Sequence, residues 1–141
     1  MRLGNHKTFI IAEVGVNHNG SLKKALKLVD IAASAGVNAV KFQTFKAEKL
    51  VSKNSKKADY QKKNMLDDDD SQLQMLKNLE LDSAMHDELI SYCIQKGIKF
   101  LSTPFDLESI ILLKDKGIQI GKIPSAVFLE LSLKQFYSFT R

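Results

Sequence analysis

The amino-acid sequence predicts an α/β fold: four parallel strands with intervening helices, laid out as the N-terminal half of a TIM (β/α)8 barrel, truncated. Three observations predict it. Short apolar runs alternate with stretches of helical periodicity, and no hairpin signal falls between them. Each apolar run ends in a polar signature: Glu13-Val14-Gly15-Val16-Asn17-His18-Asn19-Gly20, Lys41-Phe42-Gln43-Thr44-Phe45, Ser102-Thr103-Pro104-Phe105-Asp106 and Lys122-Ile123-Pro124-Ser125. The C-terminal ends of barrel strands form the rim where substrates bind, so four such signatures in register lay out a site. Finally, the 141 residues fall short of the roughly 200 that a complete barrel needs.

Phe9-Ile10-Ile11-Ala12 is a continuous apolar run, as in a strand covered on both faces. Asn19-Gly20-Ser21 is a turn that ends on a helix N-cap. Leu22, Ala25, Leu26, Val29, Ala32 and Ala33 then recur at helical spacing, and Gly36 closes the helix. Ala39-Val40-Lys41-Phe42 is the second strand and completes a β-α-β crossover. Residues 44–70 are polar and without a clean period, a long connection of the kind that is usually functional or mobile. Within it, Asp67-Asp68-Asp69-Asp70 reads as a solvated acidic run leading into a helix at Ser71–Leu76. Consecutive acids do not converge on a cation, and the EF-hand spacing is missing.

Ser83 opens a long helix with Met85, Leu89, Ile90, Cys93 and Ile94 on one face, and Gly97 ends it. Ile98-Lys99-Phe100-Leu101 is the third strand. Asp106 caps a helix with Leu107, Ile110, Ile111 and Leu113 inside, Gly117 ends that helix, and residues 118–123 form the fourth strand. No linker divides these units, so residues 1–125 form one partial barrel domain. Residues 126–141 form a divergent tail that reads like a frameshifted end. Strands one and four are expected as unpaired edges, with Ile11 and Phe100 pointing inward.

Composition narrows the function classes. A hydrophobic fraction of 44% and a charged fraction of 26% are those of a soluble globular protein. No apolar run approaches the ~18 residues of a membrane span, and the N-terminus lacks a signal-peptide core. Cys93 is the only cysteine, so no internal disulfide forms, and a cytoplasmic location is expected. The net charge of +5 does not imply a nucleic-acid partner. Many lysines lie between Lys46 and Lys63, mixed with Glu48 and Asp59, and no nucleic-acid-binding signature accompanies them.

Several rim residues carry possible chemistry. Glu13 is the only acid among its apolar neighbours; it is either a general base that orients water, or a capping or salt-bridged rim acid. Lys41 and Lys122 can pair with a substrate carboxylate or phosphate, form a Schiff base if desolvated, or simply snorkel from the rim. With the hydroxyls of Thr103 and Ser125 beside them, anion binding is the favoured reading. Gln43 is placed to hydrogen-bond a polyol. His18 is read as a turn-orienting side chain, His6 and His86 as peripheral, and Cys93 as a helix-core residue. No histidine pair has metal-binding spacing.

The four signatures, in this order, resemble the N-terminal half of the sialic acid synthase family, which includes neuraminate, legionaminate and pseudaminate synthases. Glu-x-Gly-x-Asn-His-Asn-Gly at Glu13–Gly20, Lys-Phe-Gln-Thr-Phe-Lys-Ala from Lys41, Ser-Gln-Leu-Gln-Met at Ser71–Met75 and Leu-Ser-Thr-Pro-Phe-Asp to Asp106 carry the resemblance. It covers about Phe9 to Ser125 and is nearer the neuraminate and legionaminate branches. It implies condensation of phosphoenolpyruvate with an N-acetylated hexosamine, typically N-acetylmannosamine, to a nine-carbon 2-keto acid plus phosphate.

The resemblance also implies site roles. Lys41, Thr103, Lys122 and Ser125 would hold phosphoenolpyruvate, Glu13 would act near the reacting carbons, and Gln43 would touch the sugar. A divalent metal, manganese or magnesium, and a homodimer are implied for the full-length family, with the metal ligands outside this chain. The family pattern continues Gly-Glu after Ser125, whereas Ala126-Val127 stand here. The chain alone is therefore expected to be inactive. Two alternatives remain open: half of an unrelated phosphate-binding aldolase-type barrel, or a non-catalytic fragment that complements a separately encoded half.

Overall fold

Apolar runs that cannot satisfy their own backbone groups pair side by side, and here they do so in parallel. The computed structural model describes residues 8–51, 69–118 and 121–123. Among them, strands β1 (Ile11–Gly15), β2 (Ala39–Thr44) and β3 (Lys99–Pro104) form a parallel sheet in the order β1-β2-β3. Helices α1 (Leu22–Ser34), α2 (Ala47–Leu50), α3 (Asp69–Lys77), α4 (Ser83–Gln95) and α5 (Leu107–Asp115) complete the order β1-α1-β2-α2-α3-α4-β3-α5. The short α2 lies inside the segment expected to be irregular.

The helix boundaries follow from local chemistry. Ser21 accepts the Lys24 N–H at the start of α1, Asp82 accepts that of Met85 at α4, and Asp106 accepts that of Ser109 at α5. Each bond satisfies an otherwise orphaned helical N–H. Past the end of α1, Gly36 adopts φ +70°, and its N–H and that of Val37 return to the carbonyls of Ala33 and Ala32. That left-handed closure suits glycine, and Gly97 repeats it after α4.

Helices pack on one face of the sheet. Val14, Val40, Phe42 and Phe100 meet Ala25, Val29, Leu89, Cys93, Ile110 and Leu113 in one buried cluster. Phe42 and Phe100 stack at 5.4 Å between ring centroids. Burial pushes the Cys93 thiol up to about 12, so at neutral pH it is not a thiolate and lacks the nucleophilic form. Cys93 is expected to resist an aromatic disulfide reagent in the native chain and to react fully in denaturant. Rapid native labelling would contradict this packing.

Two expectations change. The first strand begins at Ile11 rather than Phe9, and β1 is an edge on which Phe9, Ile10 and Ile11 are exposed. Phe100 points toward the helices rather than inward; an apolar run without alternation does not fix which face each residue takes. The fourth strand lies partly outside the described residues. What is described of it is a single parallel bridge, Ser102 to Gly121. The proposed division between residues 1–125 and 126–141 also falls outside them.

Candidate active site

Side chains alternate across a strand, so the residues between the core positions face away from the helices. Register pairs Glu13 with Lys41 and Lys41 with Leu101, and one layer further on pairs Gln43 with Thr103. Glu13, Lys41, Gln43 and Thr103, all singled out in the sequence, thus share one face near the C-terminal ends of the strands.

Lys41 is the electrostatic centre of this face. Its side chain is only 7% exposed, and its Nζ lies 2.6 Å from Glu13 Oε2, while Glu13 is 57% exposed. A buried ammonium needs a counter-charge. Here that counter-charge is open to solvent, so an incoming anion can share or replace it. Register between β1 and β2 slips after Glu13, and Gly15 follows with φ +58°. A Cβ there would stand 3.6 Å from Gln43 Nε2, an ordinary contact, so it is the left-handed backbone that favours glycine.

Thr103 supplies a second cue. Its hydroxyl is buried without a hydrogen-bond partner among the described residues, and such orphans call for an explanation. A ligand oxygen would satisfy it. The Gly121 bridge beside Ser102 brings the next residue, Lys122, level with Thr103, and Lys122 is exposed. Ser125 lies outside the described residues. The rim after β2 is tied down from two sides. Asp106 accepts the Lys46 N–H at 2.8 Å, and Glu80 accepts the Ala47 N–H at 2.6 Å.

Two histidines lie behind this face, not at the surface. His18 is fully buried, and its Nδ1 accepts the Gly20 N–H at 3.0 Å, the turn-orienting role expected. Its Nε2 has no partner among the described residues. His86 is equally buried, contrary to the peripheral position expected. Its Nε2 lies 2.9 Å from Thr44 Oγ1, which is 2.6 Å from Ser102 Oγ. Sequence reasoning missed this chain. The available signal was the spacing of His86, Leu89 and Cys93, which puts all three on one buried stripe of α4.

Burial holds both imidazoles below their ordinary value of about 6.5. His86 lowers His18 further. For His86, Lys116 acts with burial, while the Asp82 carbonyl and the charges of Asp82 and Asp87 act against it. The unfolded chain therefore binds protons that the folded chain excludes. Stability is full above about pH 6.5 and is lost as pH falls from there toward the lowered folded values. Urea midpoints are expected to decline across that window, and a flat profile would contradict the burial. Asp30, held down by hydrogen bonds from Lys96 and Tyr92, titrates in a more acidic range.

The described residues do not assemble a site for the divalent metal that the family resemblance implies. Among the described residues no three His, Cys, Asp or Glu side chains gather into a metal-holding set, and both ring nitrogens of His86 already hydrogen-bond within the fold.

A parallel sheet backed by helices, with a cation, a carboxylate, an amide and an orphan hydroxyl at one end of its open face, is the architecture of part of a β/α barrel. The sequence profile of the NeuB family matches residues 28–138, and the chain belongs to that family. It is 54% identical over 125 residues to the N,N'-diacetyllegionaminic acid synthase of Campylobacter jejuni, covering 89% of this chain and 37% of that protein. It is 50% identical over 117 residues to the enzyme of the same name from Legionella pneumophila, covering 83% and 33%. A solved structure of N-acetylneuraminic acid synthetase from Leptospira borgpetersenii, in complex with citrate, superposes with TM-score 0.74 at 27% identity. It covers 99% of this chain and 53% of that one. The chain spans about a third of the length of the curated relatives just named. Family membership removes the unrelated-barrel alternative.

Proposed function

We propose that this chain supplies the phosphoenolpyruvate side of a synthase site. The synthase condenses phosphoenolpyruvate with an N-acetylated hexosamine of the N-acetylmannosamine type. The methylene carbon of phosphoenolpyruvate bonds to the open aldehyde, whose oxygen takes up a proton; water adds at the carbon bearing phosphate and gives up a proton, and phosphate leaves with its bridging oxygen by C–O cleavage. The product is a nine-carbon 2-keto sugar acid. The observation that carries this reading is the buried Lys41, paired with Glu13, on the same strand face as Thr103 one layer further on, whose buried hydroxyl has no partner among the described residues.

Each residue has a chemical part. Lys41 meets a carboxylate or phosphate of phosphoenolpyruvate, and Thr103 donates its unused O–H. Lys122 adds a second cation, and Ser125, by resemblance, a second hydroxyl. Glu13, displaced from Lys41 or sharing it, is left near the reacting carbons as acid/base or to orient water. Gln43 hydrogen-bonds the sugar. Metal, dimer partner and most sugar contacts belong, in this reading, to the part of the relatives' length that this chain does not span. The setting is cytoplasmic, in keeping with a lone, buried thiol.

Phosphate release tests the proposal. The 141-residue chain with phosphoenolpyruvate, N-acetylmannosamine and manganese is expected to release none above the no-enzyme control. A chimera joining residues 1–123 to the remainder of the Campylobacter synthase is expected to release phosphate only when phosphoenolpyruvate and an N-acetyl amino sugar are both present. Two-substrate turnover by the chain alone, or a folded chimera that ignores phosphoenolpyruvate, would overturn the reading.

A further inference from the structure

We infer that His86 is a positioning residue for this site: through Thr44 and Ser102, from the far side of the sheet, it fixes where β2 and β3 hold Gln43 and Thr103. The inference rests on the site reading above. Thr44 directly follows Gln43, and Ser102 directly precedes Thr103. Alternation sends Gln43 and Thr103 to the open face and Thr44 and Ser102 to the helices. The 2.6 Å contact between the two hydroxyls therefore clasps the strands immediately behind the proposed ligand contacts.

His86 sets the direction of that clasp. Its Nδ1 lies 2.7 Å from the Asp82 carbonyl oxygen, which only accepts, so Nδ1 carries the proton. In the neutral ring Nε2 is then an acceptor, Thr44 donates its O–H to it, and Ser102 donates to Thr44. One proton arrangement satisfies the whole chain. Thr44, His86 and Ser102 are all buried, so water does not replace a missing bond. Protonating His86 makes Nε2 a donor and reverses the chain. Ser102 must then find another acceptor in a dry position, and the clasp loosens.

Burial and Lys116 favour the neutral ring of His86, against the Asp82 carbonyl and the charges of Asp82 and Asp87. From its own helix come Asp82 and Asp87, from the end of α5 comes Lys116, and His18 lies in the loop after β1. Lys116 Nζ is itself 2.6 Å from Asp87. The nearest β3 ring is Phe100, edge-on at 6.1 Å between centroids. Acid is thus expected to disturb Gln43 and Thr103 through His86.

The test is nuclear magnetic resonance on the isotopically labelled full chain. Long-range proton–nitrogen correlations are expected to show Nδ1–H for His86 and Nε2–H for His18. On acidification, the Thr103 methyl and Gln43 side-chain amide signals should move with the midpoint of His86 and not with that of His18. His86→Gln keeps an uncharged acceptor and should hold both signals near their neutral-pH positions throughout. His86→Leu should displace them at every pH. The inference is overturned if the wild-type signals ignore the His86 titration, a result that needs no variant to fold. Phosphoenolpyruvate added to the same samples separates the two claims. If wild type binds it, affinity should fall about tenfold more in wild type than in His86→Gln between neutral pH and a pH below the observed His86 midpoint, and equal losses would overturn the inference. If wild type does not bind it, the site reading fails and the co-titration alone decides.

Discussion

Lys41→Ala in the chimera described above is expected to weaken phosphoenolpyruvate use by about 10- to 150-fold. The lost contact is charge-assisted and worth roughly 1.5–3 kcal/mol, and each 1.4 kcal/mol is about tenfold. Two features put the effect at Lys41. Its ammonium is almost fully buried, and Glu13, its one ion-pair partner among the described residues, is open to solvent. Removing Lys41 also leaves Glu13 facing the incoming anion without compensation, which adds repulsion. Lys122→Ala is expected to lose activity in the same direction, by less, because Lys122 is exposed. Lys23→Ala, at an exposed position of α1, should be close to neutral. Unchanged constants for phosphoenolpyruvate in both rim variants would end the site assignment and leave the fold standing.

The largest expected loss of stability is at Gly20. Its φ of +69° costs a side-chain-bearing residue about 1–2 kcal/mol. A Cβ there would also collide with the carbonyl of Asn78, backbone that cannot swing aside as a flexible side chain would. Overpacking of that kind adds about 1–3 kcal/mol, so Gly20→Ala should cost about 2–5 kcal/mol in all. Gly36→Ala is the control. It has φ +70° with nothing within 4 Å, so it carries only the conformational cost of about 1–2 kcal/mol. Urea unfolding of the two variants side by side measures the difference, and equal losses would show that the loop after β1 does not press on the segment after α3.

Much of the fold was legible because its signals are local. Ser21 and Asp106 cap the helices they were read to cap, Gly36 and Gly97 close theirs, and apolar periodicity located α1 and α4. Long-range facts were less accessible. Phe9 and Ile10 are as apolar as Ile11, yet pairing starts only where Asn38 ties Ile10 to the start of β2 through its side chain and N–H. The facing of Phe100 depends on a one-residue phase that the run Ile98–Leu101 does not encode. Within the site, Lys41, Gln43 and Thr103 were visible as polar residues punctuating strands. Their convergence with Glu13 is a matter of register. His86 was misplaced because Thr44, which its Nε2 meets, and Ser102, which Thr44 meets in turn, are distant from it in sequence.

The most direct measurement is a titration of the isotopically labelled 141-residue chain with phosphoenolpyruvate, followed at the Lys41 ammonium and the Thr103 methyl, with N-acetylmannosamine titrated separately. The account predicts saturable movement of both signals with phosphoenolpyruvate, abolished by Lys41→Ala, and no comparable response at either to the sugar alone. Saturation that leaves Lys41 and Thr103 unmoved, or binding indifferent to loss of Lys41, would contradict it.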